Sequence, residues 1–297
     1  MHSDMINTLK QKDPTVHHPW YHWIKMLKEV AKGEPIFANN HRWKKWLAVI
    51  PEDMRKGNQD PGDLMYRIFT ALRKTDPELV IPYDCETYEK RTCRSCLHVS
   101  DQPLLEITFT IPLIEMKKEE KQLDLQTLID DSVRQQHPIN DFPCKNCNTR
   151  TIADSKSRLS KAPELLCVQI QRTYKADNGT LRRDTHPITI PYVINVPEYG
   201  VDQKLPSNIS EYLLLSQLNH IAKLAKDKDG HIIDPKATEG HYTCWQVKNK
   251  YERVVHDDDL VTTLDTRKLT SDDLRNSVYC FYKQTKTNVA PEAPPSQ

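Results

Sequence analysis

The chain has 297 residues, enough for one large domain or two of ordinary size, and its 42 Lys+Arg against 41 Asp+Glu leave a formal charge of +1. That balance gives no net field to draw nucleic acid or an anionic membrane, and no uninterrupted apolar run approaches the length of a membrane span. The opening MHSDMINTLKQKDP lacks the apolar core of a secretory signal, so cytoplasm or nucleus is the expected compartment.

Residues 1–80 read as mainly helical. WYHWIKMLKEVAKG, HRWKKWLAVIPEDM and DLMYRIFTALRK all carry apolar residues at three- and four-residue intervals. From Val80 the texture changes to β-branched segments split by Pro, Gly and Asp: Leu104–Pro112, Leu165–Thr173, Ile188–Val196 and Ser277–Lys283. A helix is expected over Leu125–Gln136, and Pro191 makes its strand an edge or a bulged one. Polar Lys223–Glu239 reads as a long exposed loop, and the tail TNVAPEAPPSQ as disordered. The fold class is α+β, with a cysteine-bearing insertion at residues 85–150.

Four of the eight cysteines form two C-x-x-C pairs, Cys93/Cys96 and Cys144/Cys147. In a reducing compartment such pairs read as metal ligands before disulfides, and two facing turns complete a tetrahedral all-thiolate zinc site. Four thiolates leave no position for substrate, so such zinc is structural. Free thiols and a redox pair are the alternatives. Cys85 has no obvious partner, while Cys167 and Cys280 sit in apolar strands and read as core.

His241 opens the strand-like HYTCWQV, and Asp257 closes the returning ERVVH beyond a turn near Lys248-Asn249-Lys250. A hairpin brings the two together, and a carboxylate on the far nitrogen is what a catalytic imidazole needs. Twelve histidines and 41 acids make many pairs of that spacing, so a structural histidine beside an ordinary acidic turn stays open.

CRSCLHVS, DFPCKNC, SKAPELLCVQIQR, EYLLLSQLNH, EGHYTCW, HDDDLV and SVYCFYK stand in one order. In that order they resemble the landmarks of the ubiquitin-specific protease family, papain-like deubiquitinating cysteine peptidases, over residues 50–285. NQDPGDLM resembles a worn form of the family's QQDA-x-EFL, with Asp63 and Met65 at its acidic and apolar positions and Pro61-Gly62 breaking the usual helical start. The resemblance implies a papain-like fold with a partial helical thumb (1–80), zinc-bearing β fingers (81–160), a β-rich palm (161–285) and a disordered tail (286–297). It implies structural zinc on Cys93, Cys96, Cys144 and Cys147. His241 takes the place of the catalytic base, Asp257 of its orienter, and Asp258 of the supporting acid. Lys223–Glu239 corresponds to loops that gate the ubiquitin tail channel.

The family's nucleophile belongs to a G-N-x-C-[YFW] box upstream of the QQDA-like segment, and residues 1–84 contain no cysteine. Thiol-dependent cleavage of ubiquitin conjugates is the family's activity. This chain is expected to be catalytically incompetent and to act as a scaffold for ubiquitin or a ubiquitinated partner. Two alternatives stand beside that: an active deubiquitinase whose cysteine box precedes Met1, and an unrelated zinc-containing interaction protein.

Overall fold

The computed structural model describes residues 60–75, 77–113, 122–134, 136–175, 179–200, 205–222, 225–226, 228, 232–233, 240–258 and 260–289. The chain divides into two compact units, Met1–Ile81 and Pro82–Gln297. The helices expected over residues 20–33 and 41–54 lie outside the described residues, as does the tail from 290 onward.

In the first unit, helix α1 (Pro61–Thr75) starts directly after Asp60. The Asp60 carboxylate accepts the Gly62 N–H at 2.7 Å, and its carbonyl accepts the Asp63 N–H at 3.1 Å. Proline at the first helical position forfeits an N–H that has no intrahelical partner anyway. Pro61-Gly62 is therefore the helix start and not a break in it. Ile68, Phe69 and Leu72 form the buried stripe.

The second unit opens with strand β1 (Cys85–Cys93), followed by β2 (Val99–Glu106) and β3 (Phe109–Pro112). LLEITFTIP thus serves two sheets instead of forming one strand. β2 pairs β1 at a sheet edge, while β3 runs parallel to β7 (Leu165–Gln171), with Phe109 and Ile111 buried. After β4 (Leu123–Asp124) comes α2 (Leu125–Arg134), capped by the Asp124 carboxylate on the Gln126 N–H at 2.9 Å. β5 (His137–Cys144) and β6 (Thr149–Lys161) complete a four-stranded sheet in the order β2-β1-β6-β5. The stretch 81–160 is accordingly not one body, since β3 and α2 leave the four-stranded sheet for the main core.

Beyond β7, β8 (Thr173–Lys175) and β9 (Leu181–Arg183) form a small hairpin, and β10 (Ile188–Thr189) bridges β4. Pro191 separates β10 from β11 (Val193–Glu198), so the strand expected over Ile188–Val196 is two pieces. β12 (Asn208–Ile221) is the long central strand. In the expected loop Lys223–Glu239, β13 (Ala225–Lys226) pairs β14 (Ile232–Ile233), and most of the remainder lies outside the described residues. Then follow β15 (His241–Asn249), β16 (Glu252–Asp257), β17 (Leu260–Asp265), α3 (Ser271–Leu274) and β18 (Ser277–Val289). The tail therefore supplies strand as far as Val289, which pairs with Asn208.

The eight-stranded sheet runs β17-β16-β15-β12-β18-β7-β3, with β11 also on β12. α2 lays Leu125, Leu128, Ile129 and Val133 into one core with Val168, Ile170, Tyr212, Leu214 and Tyr282. Along β12 the buried positions are Ser210, Tyr212 and Leu214, then Gln217 and Asn219 on one face, with His220 buried on the other. The register shift between Leu214 and Ser216 switches the alternation, as a bulge does, and places two polar side chains on the buried face.

Candidate functional site

The far end of the four-stranded sheet carries the two cysteine turns. β1 ends at Cys93 and β5 at Cys144, and the turns after them end on left-handed residues, Leu97 at φ 58° and Asn148 at φ 51°. Cys93 Sγ lies 3.9 Å from Cys147 Sγ, and Cys96 Sγ 3.7 Å from Cys144 Sγ, with all four sulfurs within 4.8 Å of one another. Tetrahedral zinc at about 2.3 Å from each sulfur needs S···S edges of about 3.8 Å, so the quartet fits a metal ion of that size.

Two donors that sequence reasoning missed complete this cluster. Asn146 Nδ2 donates to Cys96 Sγ at 3.5 Å and lowers that thiol's pKa to about 6. Thr149 Oγ1 stands 3.0 Å from Cys147 Sγ and lowers its pKa as well. Cys93 gains from the Cys96 N–H, but burial and the neighbouring thiols prevail and push it up to about 11. Cys96 and Cys147 are thus helped toward the thiolate while Cys93 resists it; a dication at the centre would remove that resistance. Asn146 and Thr149 sit inside and just after the second C-x-x-C, and that adjacency was the available signal.

At the other edge of the fold, β15 and β16 form the expected hairpin, turning at Lys250-Tyr251. Trp245 pairs with Val255 and Cys244 with His256. Continuing that register puts Asp257 across from Thr243, on the face His241 shares and one diagonal step from it. His241 Nε2 meets Asp257 Oδ1 at 2.5 Å, and Asp258 Oδ2 is 3.8 Å from the same nitrogen. An ionised carboxylate only accepts, so the proton is on Nε2 and the Nδ1 lone pair is left to act as a base. Asp257 also pairs with Leu260, and Asp258, at φ 49°, stands in the turn that follows it. Asp257 and Asp258 thus border a turn and both lie near the histidine.

The glycine of GHYTCW has a steric cause. Gly240 has φ 151°, and a Cβ there would fall 2.2 Å from His220 Nε2. His220 is buried and stacks on Tyr242 at 4.5 Å between ring centroids. The imidazole of β12 thus occupies the volume that a side chain at 240 would need, and it fixes the approach to His241.

All eight cysteines are free thiols. Cys85, Cys167 and Cys280 are buried in β1, β7 and β18. Cys244 is three residues along β15 from His241 and so projects to the opposite face, where burial raises its pKa. No thiol among the described residues contacts His241. None of the helices among the described residues is long and apolar enough to cross a membrane.

Helix α1, the four-stranded sheet with its thiol quartet and the eight-stranded sheet with its His–Asp pair belong to an α+β, papain-like cysteine peptidase fold of the ubiquitin-specific protease type. The ubiquitin carboxyl-terminal hydrolase family model matches residues 43–282, and the chain belongs to that family. The fold recurs in the SAGA Ubp8/Sgf11/Sus1/Sgf73 DUB module bound to ubiquitin aldehyde, at 15% identity and TM-score 0.68, covering 96% of this chain and 64% of that one. A yeast SAGA DUB module with an Sgf73 mutant matches at 16% identity and TM-score 0.66, covering 97% and 64%. A third structure, a module bound to monoubiquitin, gives 16%, 0.68, 96% and 63%. The chain therefore spans just under two thirds of the length of these relatives. None of the curated proteins matches it. Family membership sets aside an unrelated zinc-containing interaction protein.

Proposed function

We propose that this chain is a ubiquitin-specific-protease-like domain that binds ubiquitin or a ubiquitinated partner without cleaving it, with zinc on Cys93, Cys96, Cys144 and Cys147 holding the finger tip. The observation that carries this is the placement of the eight thiols: four in the quartet, three in the core and Cys244 facing away from His241. His241 has its orienter, yet no nucleophile faces it among the described residues. Ubiquitin in two of the similar structures supports the choice of partner. Cytoplasm or nucleus is the compartment we assign, because eight unpaired thiols persist where glutathione keeps them reduced.

The test combines a monoubiquitin pull-down with an electrophilic ubiquitin probe and a fluorogenic ubiquitin substrate. Retention of ubiquitin without adduct or turnover is the expected result. An adduct mapped to any cysteine, or turnover, sinks the proposal. A second reading, an active deubiquitinase whose cysteine box precedes Met1, is favoured by the 2.5 Å His241–Asp257 contact, which a binding role does not require. Genomic sequence upstream of Met1, read for a G-N-x-C box, separates the two.

A further inference from the structure

A row of polar side chains crosses four strands on the face that carries His241. Asp257 on β16 is the next position beyond the Cys244–His256 pair and by that register faces Thr243 on β15, Thr243 pairs with Asn219 on β12, and Asn219 pairs with Ser277 on β18. The last three are buried, at 3%, 0% and 1% exposure. One end of the row is fixed. Ser277 Oγ donates to Asn219 Oδ1 at 3.0 Å, Gln217 Nε2 donates to the same oxygen at 3.2 Å, and Arg172 Nε donates to the Ser277 carbonyl at 2.7 Å.

Oδ1 of Asn219 is thus committed to Ser277 and Gln217, which leaves its amide nitrogen to find another partner. That nitrogen and Thr243 Oγ1 are both buried without a hydrogen-bond partner among the described residues. Leaving two such groups unpaired is costly, and native interiors rarely do so without a role for them. The next polar side chain along this row is the half-exposed Asp257, whose Oδ1 is taken by His241.

We infer that Thr243 and Asn219 are positioning residues that act through Asp257. Neither group reaches a partner directly, so one water links the Asn219 amide to Thr243 Oγ1 and another carries the Thr243 hydroxyl's hydrogen bond to the Asp257 carboxylate. Aimed in this way, the carboxylate keeps an oxygen on His241 Nε2 although both side chains are accessible to water. The inference rests on reading His241 and Asp257 as base and orienter. It adds that the orienter is itself held, by a buried row that the bulge in β12 turns toward it.

The test is NMR of the zinc-loaded full chain labelled with 15N-histidine. It follows water exchange of the His241 Nε2–H signal, assigned by its loss in His241→Gln. Thr243→Val, which keeps the shape and removes the hydroxyl, is expected to speed that exchange about fivefold, the factor that one hydrogen bond of ordinary net strength sets on an opening equilibrium. Thr243→Ser should restore the wild-type rate, and the thermal midpoint of Thr243→Val should not fall. Thr243→Ala serves as a second deletion should the valine fail to pack. If Asp257→Asn speeds exchange while the Val and Ala variants match wild type, the row is rejected and the pair stands. If Asp257→Asn changes nothing, the pair fails and the row fails with it.

Discussion

The four-stranded sheet has little apolar surface to bury, whereas the eight-stranded sheet has a continuous core. No residue of β2 is buried, and the buried positions of β1 are Cys85, Thr87, Glu89 and Cys93, half of them polar and one a thiol of the cysteine quartet. In the large sheet β7 buries Leu165, Leu166, Cys167, Val168 and Ile170 against the helix stripe of α2. Hydrophobic burial at about 25 cal/mol per Å² stabilises the second and does little for the first. A sheet so built needs directed bonds: thiolates at its tip and charged hydrogen bonds along its middle.

Removing a thiolate is the strongest way to break that contrast. Cys144→Ser is expected to abolish zinc content by elemental analysis and to erase amide-exchange protection across residues 93–98 and 144–149. Structural zinc contributes on the order of 10 kcal/mol in small zinc peptides, so the local loss should be nearly complete. β7, β12 and β18 should keep their protection. Their loss in the same variant would mean one cooperative unit and would erase the distinction.

The large sheet has one polar dependence of its own. Arg172 is 2% exposed and donates to four backbone carbonyls, those of Ser277, Asp184, His186 and Leu274. Burial, and then Arg183, push its pKa down, but carbonyl partners on every side keep the guanidinium charged. Arg172→Met keeps the volume and strands those carbonyls, at a cost of about 3 kcal/mol in global stability by denaturant titration. The same change should leave zinc content untouched. A purely apolar account of the large sheet predicts no loss and is refuted by one.

How much of this was legible follows from the range of each interaction. Both cysteine turns and the His241–Asp257 hairpin are local in sequence, so spacing and strand alternation were enough to place them. Breaks at Ile107-Thr108 and around Pro191 were not legible, because a β-branched run looks the same whether it feeds one sheet or two. The start of α1 was misread because Pro61 was weighed as a helix breaker, without the Asp60 cap that makes it a first-turn residue. Thr243, Asn219 and His220 were beyond reach for a different reason. Their roles depend on cross-strand register and on a bulge near Leu214–Ser216, and a bulge of one residue leaves no compositional trace.

Glu89 gives the smallest of these effects and the sharpest sign. It sits mid-strand in β1, 8% exposed, accepting from Ser155 Oγ and Arg91 Nη2, each at 2.5 Å. Burial pushes its carboxyl up, and the bonds from Arg91 and Ser155 more than reverse this, so its pKa is lowered in the folded chain. A carboxylate with a depressed folded pKa adds stability that is fully present above the ordinary glutamate value of about 4.5. That stability is lost as the pH falls through the depressed value. Glu89→Gln should therefore weaken the four-stranded sheet by about 1 kcal/mol at pH 7, read as faster exchange in β1 and β6. Wild type and variant should converge as acid protonates the native carboxyl. Because zinc held by these thiolates would be released in acid, the comparison is made on Cys144→Ser as a background, where the other paired carboxylates of the sheet, Asp154 with Arg94 and Glu86 with Lys161, titrate alike in both chains. A gap that persists undiminished below the depressed value would show that packing, and not ionisation, is what Glu89 contributes to this sheet.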